Sequence, residues 1–235
     1  TLSLHDALPI WREIRRLDFA TLDSPFRFIL TLPQRETESI LLQAVERMPS
    51  VHLLREWEAT DYREEVAGAT VLGKRKGEAL IARGRYVCGC DGKWSTLRSA
   101  AGISRRGSAL VDTFAMADID DTTDLGKVAY LYFTRRGSVE SFPLPGALRR
   151  WIVQTEEYHP DPAAGLVQRT VRERTGIDLF GDRELWRSSF RTERREASSW
   201  AKPPLFLAGD AAHLMPPIGG QGMNVGIGDA AALAG

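Results

Sequence analysis

The stretch "LFLAGDAAHLMPPIGGQGMNVGIGDAAALAG", residues 205–235, constrains this chain more than any other. An apolar, strand-like run stops on Gly209-Asp210, passes two alanines and His213, and meets Pro216-Pro217. It then spends glycines at 219, 220 and 222 before turning alanine-rich. Proline stiffens a loop, and glycine lets backbone approach a flat ligand closely. The segment therefore reads as buried strand, stiff loop and helix. Asp210, at the strand's end, is placed to accept hydrogen bonds from a polyol. The helix starting near Met223 and Asn224 offers unsatisfied N–H groups and a partial positive charge. Such a site suits a planar ligand that gains negative charge in use. An ordinary glycine-rich connector is the alternative, and the prolines at a strand-to-helix joint argue against it.

A second segment, "CDGKWSTLRSAAGI" at residues 90–103, repeats the logic on a smaller scale. Asp91-Gly92 follow an apolar strand-like run, and Ser95 is a fitting N-cap for a short helix. A carboxylate at a strand end beside a helix N-terminus can hold ribose or ribityl hydroxyls, and Arg98 can reach a diphosphate. A plain strand-turn-helix with a surface Asp-Gly turn remains open on these residues alone.

The rest of the chain supplies the frame. Residues 18–33, with Phe26, Phe28, Leu30 and Leu32, read as an extended apolar stretch closed by Pro33. Ile40, Leu41, Ala44, Val45 and Met48 recur at helical spacing until Pro49. Segments 51–65, 66–73 and 78–92 read as strands, the last two joined through Gly73-Lys74-Arg75-Lys76-Gly77. From about 105 to 190 alternating and aromatic strands with tight turns suggest an antiparallel sheet, with one helix in "DPAAGLVQRTVRERTGI". Helix-and-strand texture returns near 193. The expected class is α/β (α+β).

Balanced charge, 31 Lys and Arg against 31 Asp and Glu, argues against nucleic acid as a partner. No apolar run approaches the ~20 residues that span a bilayer, and residues 1–10 lack a signal peptide's basic start and apolar core. Cys88 and Cys90 face one side of a strand, where a local disulfide would be strained; with no further cysteine, neither a zinc site nor a disulfide framework is expected. These features point to a reducing cytoplasm. The chain begins with Thr and ends at Gly235 a few residues into a helix, so a piece of a longer protein is expected, with residues 1–17 as an atypical, non-native-looking leader.

The two aspartate motifs, in this order, resemble those of the FAD-dependent aromatic hydroxylase superfamily, the group A flavoprotein monooxygenases that include para-hydroxybenzoate hydroxylase and phenol hydroxylase. "LFLAGDAAHLMPPIGGQGMNVGIGDA" is similar to the family's Gly-Asp motif nearly residue for residue, "GCDGKWSTLRSAAGI" to its Asp-Gly motif, "LPQRETESILLQAV" to its passage from the substrate domain into a helix, and "SFPLPGALRRW" to a piece of its substrate-domain sheet. The resemblance implies a partial FAD-binding, Rossmann-like domain with an inserted, mainly antiparallel substrate domain. Its divisions would be a substrate-domain strand at 18–33, FAD-binding parts at 34–104 and 193–235, and the substrate domain at 105–192.

Carried over, Asp210 would bind the ribityl chain beside Gly209, and Pro217 would stand at the reactive face of the isoalloxazine. Gly219 and Gly222 would shape the loop, and the N–H groups of Met223 and Asn224 would face flavin O2. Asp91 would stand by the FAD with Arg98 in support, and Gln34 would lie near the ribityl-diphosphate region. His213 is expected to be structural. Phe133, Phe142 and Trp151 are candidates for a substrate wall, though core positions are the commoner role. Arg135-Arg136 and Arg149-Arg150 could steer an NADPH phosphate or acidic substrate, though such pairs are more often solvated surface. The implied reaction is hydroxylation of an aromatic or related electron-rich small molecule by O2 through a flavin C4a-hydroperoxide, with NAD(P)H as reductant. From charge, hydropathy and cysteine count no metal, nucleic acid or membrane partner is expected, and a homo-oligomer stays open.

One family feature is missing: no G-x-G-x-x-G fingerprint for the FAD diphosphate occurs in these 235 residues. A piece lacking that clamp is expected to hold FAD weakly and to be inactive alone. Two other readings stay open, a different flavoprotein reaction on the same fold (epoxidase, halogenase or reductase) and a truncated, non-catalytic remnant. The Trp-x-Trp-x-Ile-Pro segment of halogenases is absent.

Overall fold

A computed structural model describes residues 12–217 and 220–235. In chain order the elements are α1 (Gln34–Glu46), β1 (Glu58–Glu65), β2 (Gly68–Arg75), β3 (Glu78–Gly84), β4 (Val87–Gly89), α2 (Thr96–Ala100) and β5 (Arg105–Asp120). They continue through β6 (Tyr130–Thr134), β7 (Gly137–Leu144), β8 (Leu148–Thr155), α3 (Leu166–Thr175), β9 (Glu184–Ala197), β10 (Ala201–Lys202), β11 (Leu205–Leu207), β12 (His213–Leu214) and α4 (Gly222–Ala234). The fold is mixed α+β, dominated by antiparallel strands.

The chain divides into two units. The first takes residues up to Val51 together with Asp112–Phe190, and the second takes His52–Val111 and Arg191–Gly235. Both changes of unit after residue 100 fall inside strands, one within β5 and one within β9. The expected domain limits at 33/34, 104/105 and 192/193 lie elsewhere; in particular, α1 groups with the antiparallel unit.

In the first unit β5, β8, β7 and β6 follow one another as antiparallel neighbours in a six-stranded sheet ordered β12-β9-β5-β8-β7-β6. Successive side chains of a strand face opposite ways, so the register sorts them into two faces. Ala115, Ala117, Ile119, Val139, Trp151 and Val153 share one face and are fully buried. α3 covers that face with Val167 and Val171, four residues apart on one helical stripe. Burial of Trp151 alone is worth on the order of 3–5 kcal/mol, judged by what truncating such a side chain costs. Trp151 is therefore core, whereas Phe133 and Phe142 project to the opposite face.

The second unit holds the β1-β2-β3 meander, whose turn at Lys76-Gly77 matches the expected hairpin, and a small sheet ordered β10-β11-β4. Leu97, Ala101, Ile103, Leu205, Leu207, Ala211 and Ala212 form its core with Tyr62 and Ala69.

Two expectations fail here. Residues 18–33 form no strand: Phe19–Thr21 make a single 3-10 turn, and Phe26, Phe28 and Leu30 are exposed. A strand needs a neighbouring edge, and among the described residues this segment's tie to the sheet is a hydrogen bond from the Thr31 hydroxyl to the Pro143 carbonyl. The Arg149-Arg150 pair is not solvated. Arg149 is 0% exposed, its Nε donating to Asp121 Oδ2 at 2.8 Å and its Nη groups to Ser141 Oγ and the carbonyls of Val128 and Gly126. Arg150 grips Asp118 through two bonds of 2.7 and 2.8 Å. Arg150 is held by Asp118, directly opposite it in register, and Arg149 by Asp121, one residue past the end of β5, so neither is free to steer a ligand. Arg136 is exposed, with a 3.9 Å ion pair to Glu173.

Among the described residues no helix is long and apolar enough to cross a membrane.

Candidate functional site

β4 and β11 are adjacent and parallel, with Val87 opposite Leu205, Cys88 opposite Phe206 and Gly89 opposite Leu207. The ladder continues one step, Ala208 N donating to the Gly89 carbonyl at 3.1 Å. Buried Leu205 and Leu207 drive this pairing, and close approach fixes the residue across from them: a Cβ on Gly89 would lie 2.9 Å from Leu207 Cδ2. The Asp-Gly and Gly-Asp segments thus leave the carboxyl ends of neighbouring parallel strands, the place where open α/β sheets bind ligands.

Asp91 organises its own turn. Its carboxylate accepts from Ser95 Oγ (2.5 Å) and Leu97 N (3.0 Å), while Ser95 Oγ accepts from Arg98 N (2.9 Å) and caps α2. Arg98 corrects the expectation that it reaches a diphosphate. It is 5% exposed, and its guanidinium turns inward, Nη1 donating to the Ala211 carbonyl (2.8 Å) and Nη2 to the Lys93 carbonyl (3.3 Å). Burial first, and then the neighbouring positive charge of Arg105, lower its pKa. Arg98 is a bolt between the two motifs rather than an anion ligand.

The Gly-Asp segment is a single turn, Gly209–Ala211, lying against α4. Gly209 (φ +57°) and Gly226 meet backbone to backbone, a Cβ on Gly226 standing 3.4 Å from Gly209 Cα in van der Waals contact, while the positive φ of Gly209 favours glycine there. Asp229 of α4 completes the junction. One oxygen, Oδ2, receives both Gly209 N (2.8 Å) and His213 Nε2 (2.7 Å). Because a carboxylate only accepts, the proton sits on Nε2. Burial opposes ionisation of Asp229, but the Gly209 N–H and His213 outweigh it and hold the carboxyl below its ordinary range. The His213 ring also lies 5.0 Å from Trp200. His213 is therefore structural, and Asp229 is a residue the sequence reading passed over.

Asp210 is exposed and, among the described residues, makes no hydrogen bond or ion pair. Next along the chain, the Pro217 carbonyl closes a turn with Gly220 N at 2.8 Å, and α4 begins at Gly222 without a side-chain cap from Gln221. The first-turn N–H groups, those of Met223 and Asn224 included, have no intrahelical acceptor, and the Gln221 side chain does not cap them. Open space surrounds the Cα of Gly222. Gly219 lies outside the described residues. Gln34 opens α1 in the first unit and donates from Nε2 to Glu38 Oε1 at 2.8 Å.

A flavin nucleotide needs acceptors for a hydroxylated chain and donors for an electron-rich ring edge. The unpartnered Asp210 carboxylate and the uncapped start of α4 match those two needs. Among the described residues no group of three His, Cys, Asp or Glu is placed to hold a metal ion. Cys88 and Cys90 are free thiols with sulfurs 3.4 Å apart; burial, and then Cys88, push Cys90 up to about 12.

Comparison with known proteins agrees with this geometry. Residues 7–235 match the FAD binding domain family, and the chain belongs to it. It is 31% identical over 216 residues to the rifampicin monooxygenase of Streptomyces venezuelae, covering 89% of this chain and 44% of that protein. It is also 31% identical over 243 residues to the 6-methylpretetramide 4-monooxygenase of Streptomyces rimosus, covering 95% of this chain and 41% of that protein. Among solved structures, the anhydrotetracycline hydroxylase OxyS from Streptomyces rimosus superposes with a TM-score of 0.68 at 28% identity, over 91% of this chain and 44% of that one. The chain spans less than half the length of these relatives.

Proposed function

We propose that this chain is part of an FAD-dependent monooxygenase that hydroxylates an aromatic or related electron-rich small molecule, with NAD(P)H as reductant and O2 as co-substrate. The observation that carries the reading is the unpartnered Asp210 carboxylate, set beside an uncapped helix by a junction that Asp229 and Arg98 hold rigid. The bound flavin supplies the redox and oxygen chemistry, and the protein supplies binding, orientation and electrostatics. Asp210 accepts hydrogen bonds from ribityl hydroxyls. The N–H groups of Met223 and Asn224, backed by the helix dipole, favour negative charge at the ring's O2 edge. Pro217 gives a rigid, apolar neighbour to the ring face. Asp91 shapes the adjoining turn. Phe133 and Phe142 contribute to an apolar substrate wall. The rifampicin monooxygenase and the 6-methylpretetramide 4-monooxygenase among the relatives favour an aromatic substrate.

FAD titration of the protein, expressed with its native flanking sequence, tests this reading. Flavin absorbance and substrate-stimulated NAD(P)H oxidation are expected. Asp210→Ala should weaken FAD binding by about tenfold to a hundredfold, the cost of losing an acceptor for buried hydroxyls. Its melting temperature should stay unchanged, because Asp210 bonds no other side chain or backbone group among the described residues. A protein that gains no flavin sinks the proposal, and unchanged affinity in Asp210→Ala sinks the ribityl assignment.

A further inference from the structure

The sheet face opposite α3 carries a buried acid that nothing in the fold employs. Register places Met116, Ile152, Glu140 and Leu131 in one row across β5, β8, β7 and β6. Phe114, Gln154, Ser138 and Phe133 form the row on one side, and Asp118, Arg150 and Phe142 the row on the other. The face is apolar and partly open, Phe133 being 68% exposed, with Phe190 stacked 5.2 Å from Phe114.

Its other charged and amide groups are satisfied. Arg150 holds Asp118 and lies 5.1 Å over the Trp186 ring. Gln154 accepts from Ser138 N at 3.1 Å and donates to Asp112 Oδ1 at 2.7 Å. Glu140 is 6% exposed and, among the described residues, has no hydrogen bond or ion pair. Arg150, diagonal to it in register, is already committed. Burial raises the Glu140 carboxyl above its usual range. Flanked by Leu131 and Ile152, the carboxyl keeps its oxygens at the open side of the face, so its partner comes from outside the fold, from water or from a ligand laid there.

We propose that Glu140 orients the substrate, exchanging a hydrogen bond with a neutral donor, such as a phenolic hydroxyl or amide N–H, on an aromatic ligand laid against Met116, Ile152 and Leu131. This rests on the monooxygenase reading and narrows its substrate class. Anionic aromatic acids are disfavoured, because their charge would be desolvated against Leu131 and Ile152 with Arg150 already committed to Asp118. Neutral hydroxylated or amidated rings gain a bond and relieve the orphan.

The test uses the protein with its native flanking sequence and two probes of one shape, 2-naphthol and 2-methoxynaphthalene, titrated by calorimetry. Wild type should prefer the naphthol by on the order of tenfold. Glu140→Leu should erase the preference to within about twofold while binding the methyl ether at least as tightly. Glu140→Gln, which keeps hydrogen-bonding atoms, should retain part of it. Infrared difference spectra keep the test decisive if the Leu variant fails to fold. The Glu140 carboxyl band should shift with 2-naphthol, stay still with the methyl ether, and be missing in Glu140→Gln. The assignment is overturned by no preference in wild type, by undiminished preference in Glu140→Leu, by an unmoved band, or by failure of both probes to bind. FAD titration of the same samples separates the two ideas: protein that binds FAD without preferring 2-naphthol loses only the Glu140 role, whereas protein that binds no FAD loses the enzyme reading itself.

Discussion

Replacing Asp229 should separate the rigidity of the Gly-Asp turn from its chemistry. A single oxygen accepts both the Gly209 N–H and His213 Nε2, and the His213 and Asp229 side chains are only 10% and 14% exposed. Asp229→Ala leaves two donors without an acceptor. Charged hydrogen bonds contribute roughly 1.5–3 kcal/mol each, and partial solvent access reduces this, so about 2–4 kcal/mol of stability should go. In a chain of this size that is a fall of about 5–15 °C in melting temperature. Asp229→Asn can put its amide oxygen where Oδ2 was and still accept both donors, losing only the charge, so about 1 kcal/mol is expected. The acid limb gives a further check. Asp229 has a depressed carboxyl pKa, so its contribution is fully present above the unfolded value of about 3.9 and is lost as pH falls through the folded one. The deficit of Asp229→Asn should therefore shrink below about pH 4. FAD affinity should fall in Asp229→Ala, because Gly209 adjoins Asp210. Thermal melts from pH 3 to 7, paired with flavin titration, read all of this. An Asp229→Ala protein as stable as Asp210→Ala, or an Asn variant as damaged as the Ala variant, would refute the reasoning.

Arg98→Met should cost about 2–3 kcal/mol in denaturant melts, since the Ala211 and Lys93 carbonyls lose a buried charged donor; an FAD defect without any stability loss would restore the diphosphate role. Arg149→Met should be the most damaging of these changes, about 3–5 kcal/mol, because it strands Asp121 beside a buried position. Circular dichroism melts read that loss, and Arg149→Met with Asp121→Asn should recover part of it.

How much of this could be read from the sequence depends on the range of the interaction. Helix α1 and the β2–β3 hairpin were legible because spacing and turn residues act within a few positions. The two aspartate motifs were legible because Gly, Pro and Asp carry their conformational demands with them. The extended look of residues 18–33 misled, since alternation says a strand could form but not that an edge waits for it. Arg98 misled for a related reason: whether a guanidinium faces a ligand or a carbonyl depended on Ala211, 113 residues away. Asp229 did leave a trace. The tetrapeptide Gly-Asp-Ala-Ala occurs at 209–212 and again at 228–231, once with its aspartate outward and once turned in to hold the other copy. The first copy turns after a strand and the second lies inside a helix.

The parallel pairing of β4 with β11 also sets an order of assembly. The β6–β7–β8 meander closes between near neighbours in the chain and can form early. The Asp-Gly turn must instead wait until everything up to Ala211 has been made, and until then Arg98 has no carbonyl to enter. Closing so long a loop is slow but only modestly more costly than closing a short one. Of the two units, the second therefore locks later. A bound nucleotide that touched both turns would act as a staple on that late-forming seam, and its absence would be felt there first.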